Sequence, residues 1–329
     1  MKITLIKTYY RKIVSLLCCV LLACSIVSCK GIKITGKTEN VEGYSKAQTM
    51  IVIGSERNRF QNTFGPVIWS LPVKNVPEAT YGAYFVSCMK EFLQDVKTLN
   101  LLAKEKGIIA TSTDMETIRT ISNRFYDSLS KEDKAFMGNP TLDDVVTIYM
   151  EYFVACKTAE YLLSNVDSEV SDADAKIIEV QQIVVSDRAK AEELYKEVTT
   201  EGANFAYYAR QESEDSEISK VLAKSEKENA YYKAAFQLEH GQISDIIEED
   251  GKFYILKCIN DYDEKATLER KEKLEKSIRS NAFLKSYNEY ANQHIVRFRE
   301  PFWKEIDLTK NEGSKTDSFF ELFDENVKF

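Results

Sequence analysis

The sequence predicts an α+β protein, in which a helical domain is interrupted by a smaller domain built on an antiparallel sheet. From about residue 81 to 175, apolar residues recur at three- and four-residue steps, which is the period of amphipathic helices. From 176 to 263 the pattern changes to short apolar segments separated by turn signals such as Asp250-Gly251. A charged helical pattern returns at 264. Helices and strands that occupy separate stretches of the chain favour an α+β arrangement.

The first thirty residues have the layout of an export signal. Basic residues (Lys2, Lys7, Arg11 and Lys12) and no acidic residue precede an apolar run of about 15 residues. That run is shorter than the roughly 20 residues that span a bilayer as a permanent helix. The sequence therefore predicts export, with residues 1–28 removed as a signal peptide. An uncleaved N-terminal membrane anchor is the alternative.

Two cysteines lie near the end of the apolar run. Ile26-Val27-Ser28-Cys29 resembles a lipobox, in which the cysteine is diacylated and becomes the first residue of the mature protein. Leu21-Leu22-Ala23-Cys24 is a second match. Cys29 is preferred because it allows a longer apolar run and is followed by polar residues. The resemblance implies lipid attachment at Cys29, with Cys24 as the fallback, on the extracytoplasmic face of a bacterial membrane.

Composition argues against several classes of partner and site. Loss of residues 1–28 leaves 40 basic and 52 acidic residues, and a net charge near −12 opposes binding to nucleic acid. With two histidines and no phosphate-, dinucleotide- or zinc-binding motif, neither a cofactor nor a metal is expected. Cys88, Cys156 and Cys258 lie in apolar segments outside any CxxC motif. This favours buried thiols, although a disulfide between two of them stays open.

The mature chain is expected to begin with a polar tether over residues 29–48. Residues 49–175 follow as the first part of the helical domain, opening with short strands at Thr49–Ile53 and Val67–Leu71. Residues 264–308 supply a further helix and strand that complete this domain. Residues 309–329 are predicted to be a flexible acidic tail, within which Phe319, Phe320, Leu322 and Phe323 could dock locally.

The block from 176 to 263 is predicted to form a separate small domain. A strand at about 178–185 precedes two short helices, and a charged segment without glycine covers 212–230. A short helix and two strands, at about 243–247 and 253–259, end the block. These strands are expected to pair as an antiparallel sheet.

Three motifs in this block resemble the parvulin (PpiC-type) peptidyl-prolyl isomerase domain. The most similar is Gly202-Ala203-Asn204-Phe205-Ala206, continuing to Ala209 and Ser213, which matches the family's "GadFaxxAxxxS". The other two are Ala235-Phe236-Gln237-Leu238 with Gly241 and Ser244, and the opening strand Val180–Val185. Together with the lipobox, the long helices and the return helix, the layout resembles the PrsA/SurA foldase family. The resemblance implies that N- and C-terminal segments form one SurA-N-like chaperone domain, with the parvulin-like domain inserted and the strand from His294 closing on the N-terminal region.

The resemblance also locates the isomerase site and shows that the site has changed. The two family histidines are replaced by Gln182 and Tyr254, which are expected to hydrogen-bond to each other across neighbouring strands. The Cys/Asp position is Asp215, and the proline-slot Phe is Tyr231, five residues before Phe236. In addition, Lys227 replaces a methionine and the family's "GGxLG" loop is missing. The resemblance therefore implies a parvulin fold whose isomerase activity is weak or lost.

The preferred function is an anchored foldase or chaperone that binds unfolded exported polypeptides, including proline-containing segments. Two alternatives stay open: an active prolyl isomerase with a reshaped site, and an envelope scaffold that binds one specific partner. For the chaperone, the candidate client-facing aromatics are Phe60, Trp69, Tyr81 and Tyr84, although core packing is the simpler interpretation of each.

Overall fold

The computed structural model describes residues 37–39, 41–73, 80–224, 229–310 and 313–329. The predicted signal peptide, both candidate lipid-bearing cysteines (Cys24 and Cys29) and Lys227 lie outside these ranges. The described residues fall into two compact units. The first unit comprises the described parts of Met1–Asn165 and Ala282–Phe329, and the second comprises those of Val166–Asn281.

The elements of the N-terminal half are mostly helical. They are β1 (Lys37–Glu39), α1 (Lys46–Phe64), a 3-10 turn (Pro66–Ser70), α2 (Tyr81–Lys106), α3 (Ser112–Ser128), α4 (Lys131–Phe136) and α5 (Leu142–Leu163).

The second unit and the C-terminal segment add strands and further helices. They are α6 (Asp172–Ala175), β2 (Ile177–Val185), α7 (Arg188–Val198), α8 (Phe205–Glu212), β3 (Ser219–Ala223), α9 (Ala230–Ala235), β4 (Ile247–Glu249), β5 (Lys252–Asn260), α10 (Glu264–Ala291), β6 (His294–Val296), a 3-10 turn (Pro301–Glu305) and α11 (Phe319–Asn326). The predicted α+β class is confirmed. No helix in the described ranges is long and apolar enough to cross a membrane.

The strands predicted at Thr49–Ile53 and Val67–Leu71 are wrong. The first stretch lies within α1, which begins after Ser45, whose hydroxyl accepts a hydrogen bond from the Gln48 N–H. Residues 49–58 of α1 are all buried, so its apolar residues follow one another without a break from 50 to 53 instead of recurring with a helical period. Such a run does not distinguish a buried helix from a buried strand. The second stretch forms mainly the 3-10 turn after Gly65.

Part of the polar tether predicted over 29–48 is wrong, because β1 pairs in parallel with β6 (Lys37↔His294) and α1 begins at Lys46. The first unit thus joins the N-terminal segment to the chain that follows α10, in agreement with the expected closure from His294. Next to this strand pair, the Tyr287 hydroxyl of α10 donates a hydrogen bond of 2.5 Å to Asp95 Oδ1 of α2. Burial raises the pKa of Asp95 to about 7.

The flexible tail predicted at 309–329 is also wrong, because its end forms α11. Phe319 and Phe323 are 1% and 0% exposed. The ring of Phe319 stacks on Tyr149 with centroids 4.1 Å apart, and the Tyr149 hydroxyl donates to the Phe319 carbonyl at 2.8 Å. The acidic composition of the segment favoured the prediction of a flexible tail, although α11 is an amphipathic helix whose aromatic face is buried.

Buried polar side chains hold the extended chain that leads into α11. Arg57 of α1 donates to the Leu308 and Lys310 carbonyl oxygens at 3.0 and 2.8 Å. Asp133 of α4 accepts from the Thr316 N–H and hydroxyl at 3.1 and 2.8 Å. Although burial alone would raise the pKa of Asp133, these bonds and those from Ser130 lower it far below its usual range. Such partners are distant in sequence, so no local pattern predicted them.

The second unit is built on a four-stranded sheet of order β3-β2-β5-β4, with antiparallel neighbours throughout. On one face, β2 and β5 pack against α7 and α8, around Ile183, Leu194 and Phe205. On the other face they pack around Val180 and Leu256 with α9. Strand β3 lies within the segment 212–230 that sequence analysis described only as charged.

Candidate functional site

The candidate site lies on the α9 face of the sheet in the second unit. Strand β2 carries Gln182 at its centre, opposite Leu256 of β5, and only 2% of Gln182 is exposed. Helix α9 brings Tyr231 over this face, and 9% of Tyr231 is exposed. The helix begins after Asn229, whose side chain accepts from the Tyr232 N–H at 2.9 Å. This local cap fixes where Tyr231 enters the sheet face.

Gln182 is the centre of a hydrogen-bond network. Its Nε2 donates to Asp215 Oδ2 at 2.9 Å and to the Glu217 carbonyl oxygen at 3.0 Å. Its Oε1 accepts from the Tyr231 hydroxyl at 2.8 Å. Both amide hydrogens and one acceptor position of Gln182 are therefore engaged within the protein. A buried amide with satisfied partners is stable, and taking away one partner costs the desolvation of the group left behind.

Asp215 is held by its own loop as well as by Gln182. The Glu217 N–H donates to Asp215 Oδ1 at 2.9 Å, and Lys220 Nζ lies 3.6 Å from Oδ2. The Glu217 N–H is the largest cause that lowers the pKa of Asp215. Lys220 also pairs with the Glu217 carboxylate. Asp215 is thus an ionised carboxylate with several partners, poorly suited to accept a proton near neutral pH.

Aromatic rings form the apolar part of the site. Tyr231 meets Tyr254 of β5 edge to face, with ring centroids 5.3 Å apart. Tyr232 and Phe236 stack at 6.4 Å. Burial raises the pKa of both Tyr231 and Tyr254, so their hydroxyls stay protonated and act as neutral hydrogen-bonding groups.

The geometry corrects one expected contact. Tyr254 lies opposite Val184 in the β2–β5 register, and Gln182 bonds to Tyr231 instead of to Tyr254. The structure brings Gln182, Asp215, Tyr231 and Tyr254 together, and Phe236 packs partly buried at the edge of the same apolar cluster. Their roles in binding or catalysis stay predictions.

Sequence reasoning assigned no role to Lys220 and Ser244. Lys220 bridges the carboxylates of the Asp215 loop. Ser244 is 5% exposed, and its hydroxyl accepts from the Leu256 N–H at 2.9 Å, which ties the chain before β4 to β5. The spacing of Glu217 and Lys220 is the one local signal for such a pair. Ser244 was visible only as the last residue of a family motif.

The family comparison matches this part of the chain. Residues 181–260 match the model of the rotamase family described as a PPIC-type PPIASE domain, and this span contains Gln182, Asp215, Tyr231, Phe236 and Tyr254. Residues 181–260 are therefore similar to a PPIC-type domain, and this segment is called the PPIC-type domain. The matched span contains strands β3, β4 and β5, most of β2, and the network at Gln182.

Curated relatives extend the similarity beyond the PPIC-type domain. The chain is 24% identical over 228 residues to the foldase protein PrsA of Staphylococcus epidermidis, covering 64% of this chain and 65% of that protein. It is 29% identical over 157 residues to the foldase protein PrsA of Staphylococcus aureus, covering 44% of this chain and 46% of that protein. The chain thus aligns with less than two thirds of the length of either relative.

Solved structures of similar proteins include two from Bacillus. The peptidylprolyl isomerase PrsA of Bacillus cereus shares 17% identity, covers 77% of this chain and 99% of its own, and gives a TM-score of 0.30. PrsA of Bacillus subtilis shares 19% identity, and the match covers 74% of this chain and 99% of that protein with a TM-score of 0.25. Because both TM-scores are low, we draw nothing further from them.

The first unit carries an aromatic surface outside the PPIC-type domain. Trp69 is only 3% exposed and packs against Phe85 with centroids 5.1 Å apart and ring planes tilted by 60°, so it belongs to the core. The candidate client-facing residues Phe60, Tyr81 and Tyr84 are half-buried. Beside them, other apolar side chains are more exposed: Phe64 (61%), Val67 (61%) and Leu71 (47%).

Proposed function

We propose that this chain is an extracytoplasmic foldase that binds unfolded exported polypeptides, and that its PPIC-type domain is a weak or inactive isomerase. The observation that carries the proposal is the internal network at Gln182, inside a domain of the PPIC type and within a chain similar to PrsA foldases. The fold of the isomerase domain is kept while the polar groups of its site bond to one another.

Prolyl isomerisation requires a catalyst to stabilise a twisted amide, because the rotation barrier is about 18–20 kcal/mol. Stabilisation comes from hydrogen-bonding groups that point at the twisted peptide and from an apolar slot that holds the proline ring. Here the amide of Gln182 bonds to Asp215, Glu217 and Tyr231. A substrate would have to break these bonds before it could hydrogen-bond to the Gln182 amide. The free energy of breaking them offsets much of the stabilisation that the new bonds would give the twisted peptide.

The exposed surface of the first unit supports binding of unfolded chains. Phe64, Val67 and Leu71 are large apolar residues of which roughly half or more is exposed. The ring of Phe64 contacts the half-buried ring of Phe60, and the Leu71 carbonyl accepts a hydrogen bond from the Tyr81 N–H. Exposed apolar patches commonly mark interaction sites. The apolar segments of an unfolded polypeptide are the chemistry that such a patch would take.

The anchor is part of the same proposal. The predicted lipid on Cys29, or on Cys24, would hold the body of the protein where exported chains emerge unfolded. Metabolic labelling with a fatty acid, followed by mass spectrometry of the N-terminal peptide, tests it. A lipid on Cys29 is expected, and an unprocessed N-terminus without lipid on either cysteine would contradict the anchor.

The isomerase part is tested with a proline tetrapeptide and the full chain. We expect little acceleration by the wild type, and the same small rate for Asp215→Ala and Tyr231→Ala. A clear acceleration that either variant abolishes would instead support the second candidate, an active isomerase. The retained aromatic pair of Tyr231 and Tyr254 favours that candidate. The double variant Gln182→His, Tyr254→His provides a comparison, because it restores the histidines that the family resemblance implies.

A further inference from the structure

Strand β3 is an edge of the four-stranded sheet, and its hydrogen-bond register defines what the open side presents. The Gln182 N–H donates to the Ile218 carbonyl at 2.8 Å, and the Lys224 N–H donates to the Lys176 carbonyl at 2.9 Å. Between these two bonds, Val180 pairs with Lys220 and Ile178 with Leu222. In an antiparallel ladder, hydrogen-bonded and non-hydrogen-bonded pairs alternate. The remaining β3 residues, Ser219, Val221 and Ala223, therefore direct their N–H and C=O groups away from β2.

The open side of β3 has no strand partner within the described ranges. Val221 is 70% exposed, and Ser219 is exposed as well. Edge strands are usually protected by proline, by bulges or by outward lysines. β3 contains no proline, and the ammonium group of its Lys220 is paired with Asp215 and Glu217. A β-branched apolar residue thus occupies the centre of this edge, whose outward backbone groups have no backbone partner among the described residues.

The same strand borders the candidate site. Paired residues of neighbouring strands project from the same face of a sheet, so Lys220 and Leu222 project from the face that carries Val180 and Ile178. Leu222 shares an apolar cluster with Tyr231, and Lys220 contacts the Asp215 carboxylate. A strand added to β3 would place alternate side chains beside this face.

We propose that β3 binds extended segments of unfolded polypeptides by strand addition, next to the Gln182 network. This inference rests on the proposed function for the class of partner. An unfolded chain exposes unpaired N–H and C=O groups, which complement the outward groups of Ser219, Val221 and Ala223. Proline is tolerated in such a segment wherever its missing N–H would face away from β3.

An N-methyl scan tests the geometry. The probe is the peptide acetyl-Lys-Val-Thr-Val-Thr-Val-Lys-amide with a fluorescent label, and its binding to the full chain is followed by anisotropy. Single N-methyl groups are placed on successive residues. Strand addition predicts alternation: methylation of amides that face β3 weakens binding about tenfold or more, and methylation of the amides between them changes it less than about twofold. Uniform effects along the peptide, or no binding, would overturn strand addition.

A matched pair of variants tests the protein side. Val221→Pro removes one outward N–H while keeping an edge position that proline can occupy, and it should weaken probe binding about tenfold. Val221→Thr keeps the N–H and the branched shape, and should bind within about twofold of wild type. Equal binding by both variants would overturn the inference. If Val221→Pro does not fold, the N-methyl scan decides. The proposed function is tested by a different experiment: it is wrong if the full chain does not suppress aggregation of an unfolded protein.

Discussion

Phe319→Ala tests whether the C-terminal segment is an integral part of the first unit. The ring is 1% exposed, stacks on Tyr149 with centroids 4.1 Å apart and meets Phe125 edge to face at 5.6 Å. Replacing a buried phenylalanine with alanine costs about 3–5 kcal/mol, since apolar burial is lost and a cavity remains. Because the ring is fully enclosed by aromatic partners, we expect about 4 kcal/mol, the middle of that range.

The free energy of unfolding is measured with urea, using the circular dichroism of the full chain and the fluorescence of the first unit. Phe64→Ala is the matched control, because 61% of that ring is exposed. The control should cost less than about 1 kcal/mol. A loss below about 1 kcal/mol for Phe319→Ala, equal to the control, would refute the packing of α11 and restore the flexible tail that the sequence predicted.

Three polar side chains that are buried or half-buried give further predictions. Asp95 has a folded-state pKa of about 7, above its unfolded value. Its contribution to stability is therefore full below about pH 4 and is lost as pH rises toward 7, so the free energy of unfolding falls by up to about 1.4 kcal/mol per pH unit. Asp95→Asn should remove this pH dependence in urea titrations from pH 4 to 8. Asp133 has a lowered pKa, so its contribution is present above about pH 4 and is lost on acidification, and Asp133→Asn should flatten the acid limb. Gln182→Leu should destabilise the second unit by about 1–3 kcal/mol, because Asp215 loses the bond from the Gln182 amide and the buried Tyr231 hydroxyl loses its acceptor; an unchanged urea midpoint would contradict the network.

Short-range patterns predicted much of the second unit. The motifs around Phe205 and Phe236 reflect local helix starts and turns, and the structure places both beside the sheet as expected. The candidate residues Gln182, Asp215 and Tyr231, which were assigned through the family resemblance, meet in one network. Their partners were less predictable. Tyr254 lies opposite Val184 because of the register between β2 and β5. The sequence pattern within a single strand does not determine how that strand is aligned with its neighbour.

The errors lie where burial depends on distant contacts. Residues 49–53 are apolar without period because α1 is enclosed on every side, and a strand fits the same run. The segment before α11 is polar, yet Arg57 and Asp133 bind its backbone and hydroxyl groups. Neither partner is near in sequence.

The measurement that tests the central claim most directly is the suppression of aggregation of a chemically unfolded exported protein by the full chain. We expect suppression by the wild type, equal suppression by Asp215→Ala, and a clear loss when Phe64 and Leu71 are both changed to serine on the exposed surface of the first unit. No suppression by the wild type at a tenfold molar excess over the unfolded protein, together with recovery of a single stoichiometric partner, would contradict the foldase and favour a scaffold.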